Sequence, residues 1–147
     1  MIRQDYLMRL IQQLAELVRR VAGRVEARNY DDALAESSRA WSDVLGVPRE
    51  VVDRVDAPTL ASLLREPAKQ RAAAQLLVAE ATAYAGKGDP IHAALCYRRA
   101  FELYLEARAQ EPTDADDAAL LELSRHVPPG EVHPRYRTAA KAEKTGV

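Results

Sequence analysis

The chain has 147 residues, 48% of them hydrophobic and 29% charged, with a formal net charge of −1. Such a balance is too apolar for a disordered chain, and the length suffices for one domain with its own core. Because 21 basic side chains stand against 22 acidic ones, the basic excess by which nucleic-acid binders displace counterions is missing, and no nucleic-acid partner is expected.

From about Asp5 to Arg28, apolar side chains fall at Leu7, Leu10, Ile11, Leu14, Leu17, Val18, Val21 and Val25. That is the three-and-four spacing of one helical face. Gln12, Gln13, Glu16, Arg19 and Arg20 hold the other side, and Asp5 is placed to cap the N-terminus. Asn29-Tyr30-Asp31-Asp32 reads as a turn that starts a second helix, over about 31–45, with Ala33, Leu34, Ser37, Ala40, Trp41, Val44 and Leu45 on its buried side. Gly46 ends it in a left-handed conformation and Pro48 prevents its return. Two short amphipathic pieces follow, over about 48–55 and 58–64, with Pro48, Pro58 and Pro67 read as first-turn prolines. An Ala-rich helix is expected over about 67–85, broken by Gly86-Lys87-Gly88-Asp89-Pro90. The next spans about 90–110, with Ala93, Ala94, Tyr97, Ala100, Phe101, Tyr104 and Leu105 inward. A last helix over about 114–126 is capped by Asp114, with Asp116 and Asp117 favoured near the positive end of its dipole. Pro128-Pro129-Gly130 closes it, and residues 128–147, with no periodic apolar face, are expected to form a mobile tail.

The stretch from Leu76 to Tyr104, LLVAEATAYAGKGDPIHAALCYRRAFELY, resembles one tetratricopeptide repeat. In that motif two helices need small residues where their backbones touch, large ones where they lock, and Gly-Asp at the turn. Ala81 and Tyr84 stand at the small and large positions of the first helix, Gly88-Asp89 at the turn, and Ala93, Tyr97 and Ala100 in the second helix; Leu77 replaces the usual tryptophan. Arg28 to Leu45 resembles the turn and second helix of another copy, with Tyr30, Ala33 and Ala40 in register, Ser37 at the aromatic position, and Val21 and Arg24 departing from the pattern in its first helix. The chain is also similar to a group of short bacterial proteins that open with an Asp-Tyr-x-x-Arg helix, here Asp5, Tyr6 and Arg9. These resemblances imply an all-α fold of irregular tetratricopeptide-like hairpins, packed as a small right-handed array or bundle. One domain over residues 1–127 is expected, with hairpins at about 5–46 and 67–110 and an insertion of short helices at 47–66.

The resemblance further implies a non-catalytic protein–protein interaction module, an adaptor or scaffold, holding another protein or peptide in the groove lined by the first helix of each pair. Carried over in register, the groove positions are Ala15, Val18, Ala22 and Val25 in the upstream copy and Gln75, Val78, Thr82 and Ala85 in the downstream one. The Lys, Arg and Asn that grip a terminal carboxylate in some such domains are missing from these positions. An apolar groove can be covered by its own chain, a second copy or a partner's amphipathic helix. The alternative reading is a self-associating structural protein, a homodimer through the Leu7 to Val25 stripe; an unrecognised enzyme is a third.

No catalytic, cofactor or metal site is expected. His92 and Cys96 lie four apart on one helix, but two ligands do not close a tetrahedral metal site, and Cys96 reads as a small buried hydrophobe. Ser37 and Ser38 have no histidine nearby in sequence and no Gly-x-Ser-x-Gly turn. Gly86-Lys87-Gly88 follows a helix and lacks the phosphate-loop spacing. Trp41 is expected inside, and Arg19-Arg20 and Arg98-Arg99 are expected as solvated faces. The single cysteine makes a reducing, cytoplasmic setting the natural expectation. The segment MIRQDYLMRLIQQL has charges inside its apolar run and no small-residue cleavage site, so no signal peptide is expected. No run approaches the roughly 18 apolar residues of a membrane span, so no membrane partner is expected.

Overall fold

In a computed structural model, which describes residues 2–145, the chain forms eight α-helices and two short 3-10 turns, with no strand among the described residues. The first is α1 (Ile2–Glu26), whose apolar stripe turns inward at Leu10, Leu14, Leu17, Val21 and Val25. Ile11 stays 40% exposed at the edge of that stripe. The helix begins before Asp5, which therefore lies in the first turn and is not its cap; a carboxylate there still meets the positive end of the helix dipole.

A short turn leads into α2 (Tyr30–Asp43), which buries Ala33, Ser37, Ala40 and Trp41. Gly46, at φ +77°, takes the left-handed turn that the sequence predicts. The insertion consists of α3 (Arg49–Arg54) and α4 (Ala57–Leu64). Asp56 caps α4 by accepting from the Thr59 amide at 3.0 Å. A tight three-residue turn at Arg65, φ 71° and ψ −66°, closes α4, with the Glu66 amide donating to the Leu64 carbonyl at 2.9 Å.

The centre of the molecule is the pair α5 (Pro67–Gly86) and α6 (Pro90–Gln110). Proline at the first position of each suits an amide that would lack a partner there. Between them Gly88 adopts φ +81°, and Asp89 caps α6 by accepting from the His92 amide at 3.2 Å. Alanine is abundant in α5 because neighbours press on it from several sides: α1, α2, α4 and α6 all pack against it, and Ala73, Ala74, Ala81 and Ala83 are fully enclosed. Its last residue, Gly86, lies under the Tyr30 ring so closely that a Cβ there would fall 2.3 Å from Tyr30 Cζ. Ala94, expected inward on α6, is exposed.

Beyond these, α7 (Asp114–Ser124) packs on α6. Its N-cap is Thr113, one residue before the expected Asp114, and the Thr113 amide donates to the Asp116 carboxylate at 3.0 Å. The segment read as a mobile tail differs from expectation. After 3-10 turns at Pro129–Glu131 and Pro134–Tyr136 it forms α8 (Arg137–Thr145), and Val132, Tyr136 and Ala140 are buried. Those three recur four apart, too sparse a stripe to stand out in a polar sequence, and polar anchors secure them. The Tyr136 hydroxyl donates to Glu106 at 2.9 Å, the His133 amide to Glu102 at 2.8 Å, and Arg108 to Glu143 at 2.8 Å. Packed structure thus continues to residue 145. No helix among the described residues is long and apolar enough to cross a membrane.

Candidate functional site

Helices α1 and α5 lie side by side, and α7 flanks the other end of the same face of α5. Two hollows run along this face and meet at Gln75. The one between α1 and α5 has a volume of about 260 Å³ and is lined by Ile11, Leu14 and Ala15 against Ala68, Arg71, Ala72 and Gln75. The other, about 360 Å³, opens between Gln75, Val78 and Thr82 on one side and Ala119, Leu123 and His126 on the other. Tyr97 and Tyr104 of α6 form its floor, and the Tyr97 ring stacks on His126 with centroids 4.1 Å apart and planes at 8°.

Of the positions carried over in register, the structure therefore joins Ala15, Gln75, Val78 and Thr82 in one groove. Val18 and Ala22 are half-buried on α1 outside both hollows, and Ala85 is exposed beyond them. Val25 is a correction: it is 9% exposed and belongs to the core. The α7 wall and the tyrosine floor were not readable beforehand, since nothing in the spacing of Tyr97, Ala119 or His126 says that they converge.

The groove carries little charge. Glu122 at its rim is paired with Arg125 at 2.6 Å, and the Thr82 hydroxyl donates back to the Val78 carbonyl at 3.1 Å. What holds α7 in place is a two-pronged ion pair beneath it. Arg71 of α5 meets Asp116 through Nε–Oδ1 at 2.8 Å and Nη2–Oδ2 at 2.9 Å, and also reaches the Glu111 carbonyl. Burial pushes the Asp116 carboxyl up, but Arg71 and Thr113 together outweigh it and hold the group below the usual carboxylate range. No known protein family, curated protein or solved structure matches the chain.

A second polar cluster lies inside the fold, between α2, α3 and α5. Glu80, 2% exposed, accepts from Ser37 Oγ at 2.6 Å, from Trp41 Nε1 at 3.0 Å and from Arg49 at 2.7 Å. This explains why Ser37 stands where the repeat pattern has an aromatic: its hydroxyl is a donor to a buried carboxylate. Arg20 lies on an exposed face, as expected, and Arg24 is close beside it. Both reach Glu36 of α2, Arg20 at 2.6 Å, and so tie α1 to α2. Burial pushes the Glu36 carboxyl up, and the two arginines reverse this and hold it low.

Trp41 is fully buried. His92 stacks on Tyr84 at 5.0 Å and pairs with Asp89 at 2.6 Å, and no group of three or more metal-ligating side chains forms among the described residues. Burial, reinforced by the charge of Glu80, pushes the Cys96 thiol up to about 12. A thiol in that range supplies almost no thiolate at neutral pH. Iodoacetamide at neutral pH is therefore expected to leave the folded protein unmodified and to alkylate Cys96 fully in concentrated urea. Similar rates in both conditions, read by mass spectrometry, would show that α5 and α6 open freely.

Proposed function

We propose that the protein is a non-catalytic protein–protein interaction module, an adaptor or scaffold of tetratricopeptide-like hairpins whose groove holds a peptide segment of another protein. Several features support this reading. The α1–α2 and α5–α6 pairs pack so that α5 touches both α1 and α2, and α7 packs against α6. That neighbour order is the one by which helical repeats build a shared groove. The observation that carries the reading is the groove itself: open, with its two charged lining residues, Arg71 and Glu122, each paired to an opposite charge, and lined by Ala15, Gln75, Val78 and Thr82, the register positions of the repeat pattern.

The occupant is a segment with small or aliphatic side chains and no net charge. Such a segment buries against Val78, Ala119 and Leu123 without stranding an ion, while Gln75 supplies amide hydrogen bonds to its backbone. Self-association finds support only at the N-terminal end of α1, where Tyr6, Met8 and Ile11 are exposed; most of the stripe from Leu7 to Val25 packs within its own chain.

Selection of a displayed library of short random peptides is expected to enrich uncharged, aliphatic sequences. Their amide-resonance footprint should fall on Gln75, Val78, Thr82 and Ala119. Gln75→Arg and Thr82→Arg, at exposed positions, should keep the helical circular dichroism and weaken binding at least tenfold. Enrichment that maps elsewhere, or that survives both substitutions, overturns the groove assignment. A protein that selects no peptide and sediments as a dimer, lost on Met8→Glu, replaces the adaptor with the self-associating reading.

A further inference from the structure

Arg98 and Arg99, expected in solvent, instead wall a cavity of about 320 Å³ between α3, α5 and α6. It lies on the far side of α5 from the groove, because Leu77 and Tyr84 share a helix face two turns apart that is turned away from Val78 and Thr82. Arg49 of α3 joins the same wall, so three arginines line one cavity, their side chains only 19%, 32% and 15% exposed for Arg49, Arg98 and Arg99.

Their internal partners do not use up these donors. Arg49 gives Nη2 to Glu80 and lies 3.0 Å from Asp53 through Nη1, without hydrogen-bond geometry. Arg99 gives Nη1 to the Val52 carbonyl at 3.0 Å, while its Nε remains 3.8 Å from Glu102. Arg98 makes no hydrogen bond among the described residues; its nearest carboxylate, Glu102, is 4.0 Å away. Thus Arg49 Nη1, Arg98 Nε and Arg99 Nε are all buried without a hydrogen-bond partner. Because the Nε atoms of Arg98 and Arg99 are enclosed and lie nearest Glu102, the donors left for an occupant are Nη1 and Nη2 of Arg98 and Nη2 of Arg99, which have no hydrogen-bond partner among the described residues and are not enclosed.

The charge balance agrees in sign. Asp53 is the one carboxylate lining the cavity, and it is mostly exposed. Glu80 behind the wall is already engaged by three donors, and Glu102 faces the wall's other side, where it accepts from the His133 amide and burial pushes its carboxyl up. The remaining surface is apolar or aromatic, from Leu77 and Leu95 to the stacked Tyr84–His92 pair.

We propose that this cavity binds a small organic acid, its carboxylate held by Arg98 and Arg99 with Arg49 beside them and its apolar or aromatic body laid against Leu77, Leu95 and Tyr84. The volume is at the small end of ligand pockets, which fits a compact monocarboxylate. A carboxylate supplies the acceptor geometry that a guanidinium fork matches. Independence from the peptide groove follows from the position on the other side of α5.

Phenylacetate is the probe, titrated into the full chain while the arginine Nε–Hε resonances are followed by nuclear magnetic resonance. Saturable shifts at Arg98 and Arg99, with companion shifts at Leu95 and Cys96, are expected. The neutral isostere phenylacetamide should bind at least tenfold more weakly. Arg98→Gln, which removes a side chain without an internal hydrogen bond and so leaves the fold intact, should weaken phenylacetate roughly tenfold, the effect of losing one charge-assisted hydrogen bond. Absence of saturable shifts overturns the proposal, as does equal binding of phenylacetamide or indifference to Arg98→Gln. If inorganic phosphate binds as tightly as phenylacetate, the apolar wall contributes nothing and the organic-acid assignment falls.

Discussion

Glu80→Ala is expected to lower the unfolding free energy by about 3–5 kcal/mol, the range for removing one partner of a buried ion pair. The carboxylate is 2% exposed and takes three donors from two other helices: Ser37 and Trp41 of α2 and Arg49 of α3. Alanine at that position leaves a half-buried guanidinium without its close counter-charge, and strands a hydroxyl and an indole N–H in the core. Domains of this size have about 5–15 kcal/mol in total, so the variant is expected to lose a large part of its stability. Glu80→Gln removes the charge and keeps one acceptor oxygen, but turns the other into an NH2 donor where a donor is already aimed, and should fall between the wild type and Glu80→Ala. Replacing both members, Glu80→Leu with Arg49→Met, should recover part of the loss, because the desolvation of two charges is removed together with their attraction. Urea unfolding read by Trp41 fluorescence checks all of these, since the only tryptophan in the chain is itself a member of the cluster. A loss below about 1 kcal/mol for Glu80→Ala, the level of exposed pairs, would mean that water reaches the cluster and satisfies it.

Glu80 also illustrates where sequence reading ends. The elements α5 and α6 were legible almost to the residue, because Pro67, Pro90 and Gly88 are local signals whose meaning does not depend on distant chain. The groove side of α5 was legible through Gln75, Val78 and Thr82, as one face of one helix. Yet nothing in an alanine-rich run says what an acid within it will meet. Its partners Ser37, Trp41 and Arg49 lie 43, 39 and 31 residues away, and periodicity carries no information about such pairs. The same holds for Arg98 and Arg99. Adjacent arginines on a helix read as a solvated face until α3 is folded over them, and a helix as short as α3 gives no signal of where it docks. Val25 failed for a finer reason. Neighbouring positions on a helix face differ by small rotations, so core and groove divide within one stripe. Val132, Tyr136 and Ala140 failed because three apolar residues among many polar ones form a stripe only once α6 and α7 provide the surface that covers them.

Asp116→Ala is expected to cost about 3 kcal/mol at neutral pH and almost nothing in acid. The pair with Arg71 is two-pronged, Asp116 is fully enclosed, and Arg71 is 17% exposed. That residual exposure lets water reach part of the guanidinium once the carboxylate is gone, which puts the loss at the lower end of the buried-pair range. The pH dependence follows from the direction of the shift. With Arg71 and Thr113 holding the folded carboxyl below its ordinary value, the unfolded state binds the proton first as pH falls. The stabilisation is therefore complete above the unfolded pKa of about 4. It declines below that pH and vanishes once the folded group protonates. Glu36, held low by Arg20 and Arg24, adds to the same acid loss. The wild-type chain should accordingly weaken below about pH 4, whereas Asp116→Ala should start weaker and fall less steeply, so that the two curves converge. Denaturant midpoints measured across that range decide it: parallel curves would mean that the Asp116 carboxyl is not depressed in the folded state. The consequence reaches the groove, because this ion pair ties the N-terminal end of α7 to α5, and α7 carries Ala119 and Leu123 on the groove wall. Loss of Asp116 should broaden the His126 ring resonances and weaken peptides selected on the intact protein, while ligands of the arginine-walled cavity bind as before. The groove and the cavity then respond to different residues, as two sites on opposite sides of one helix must.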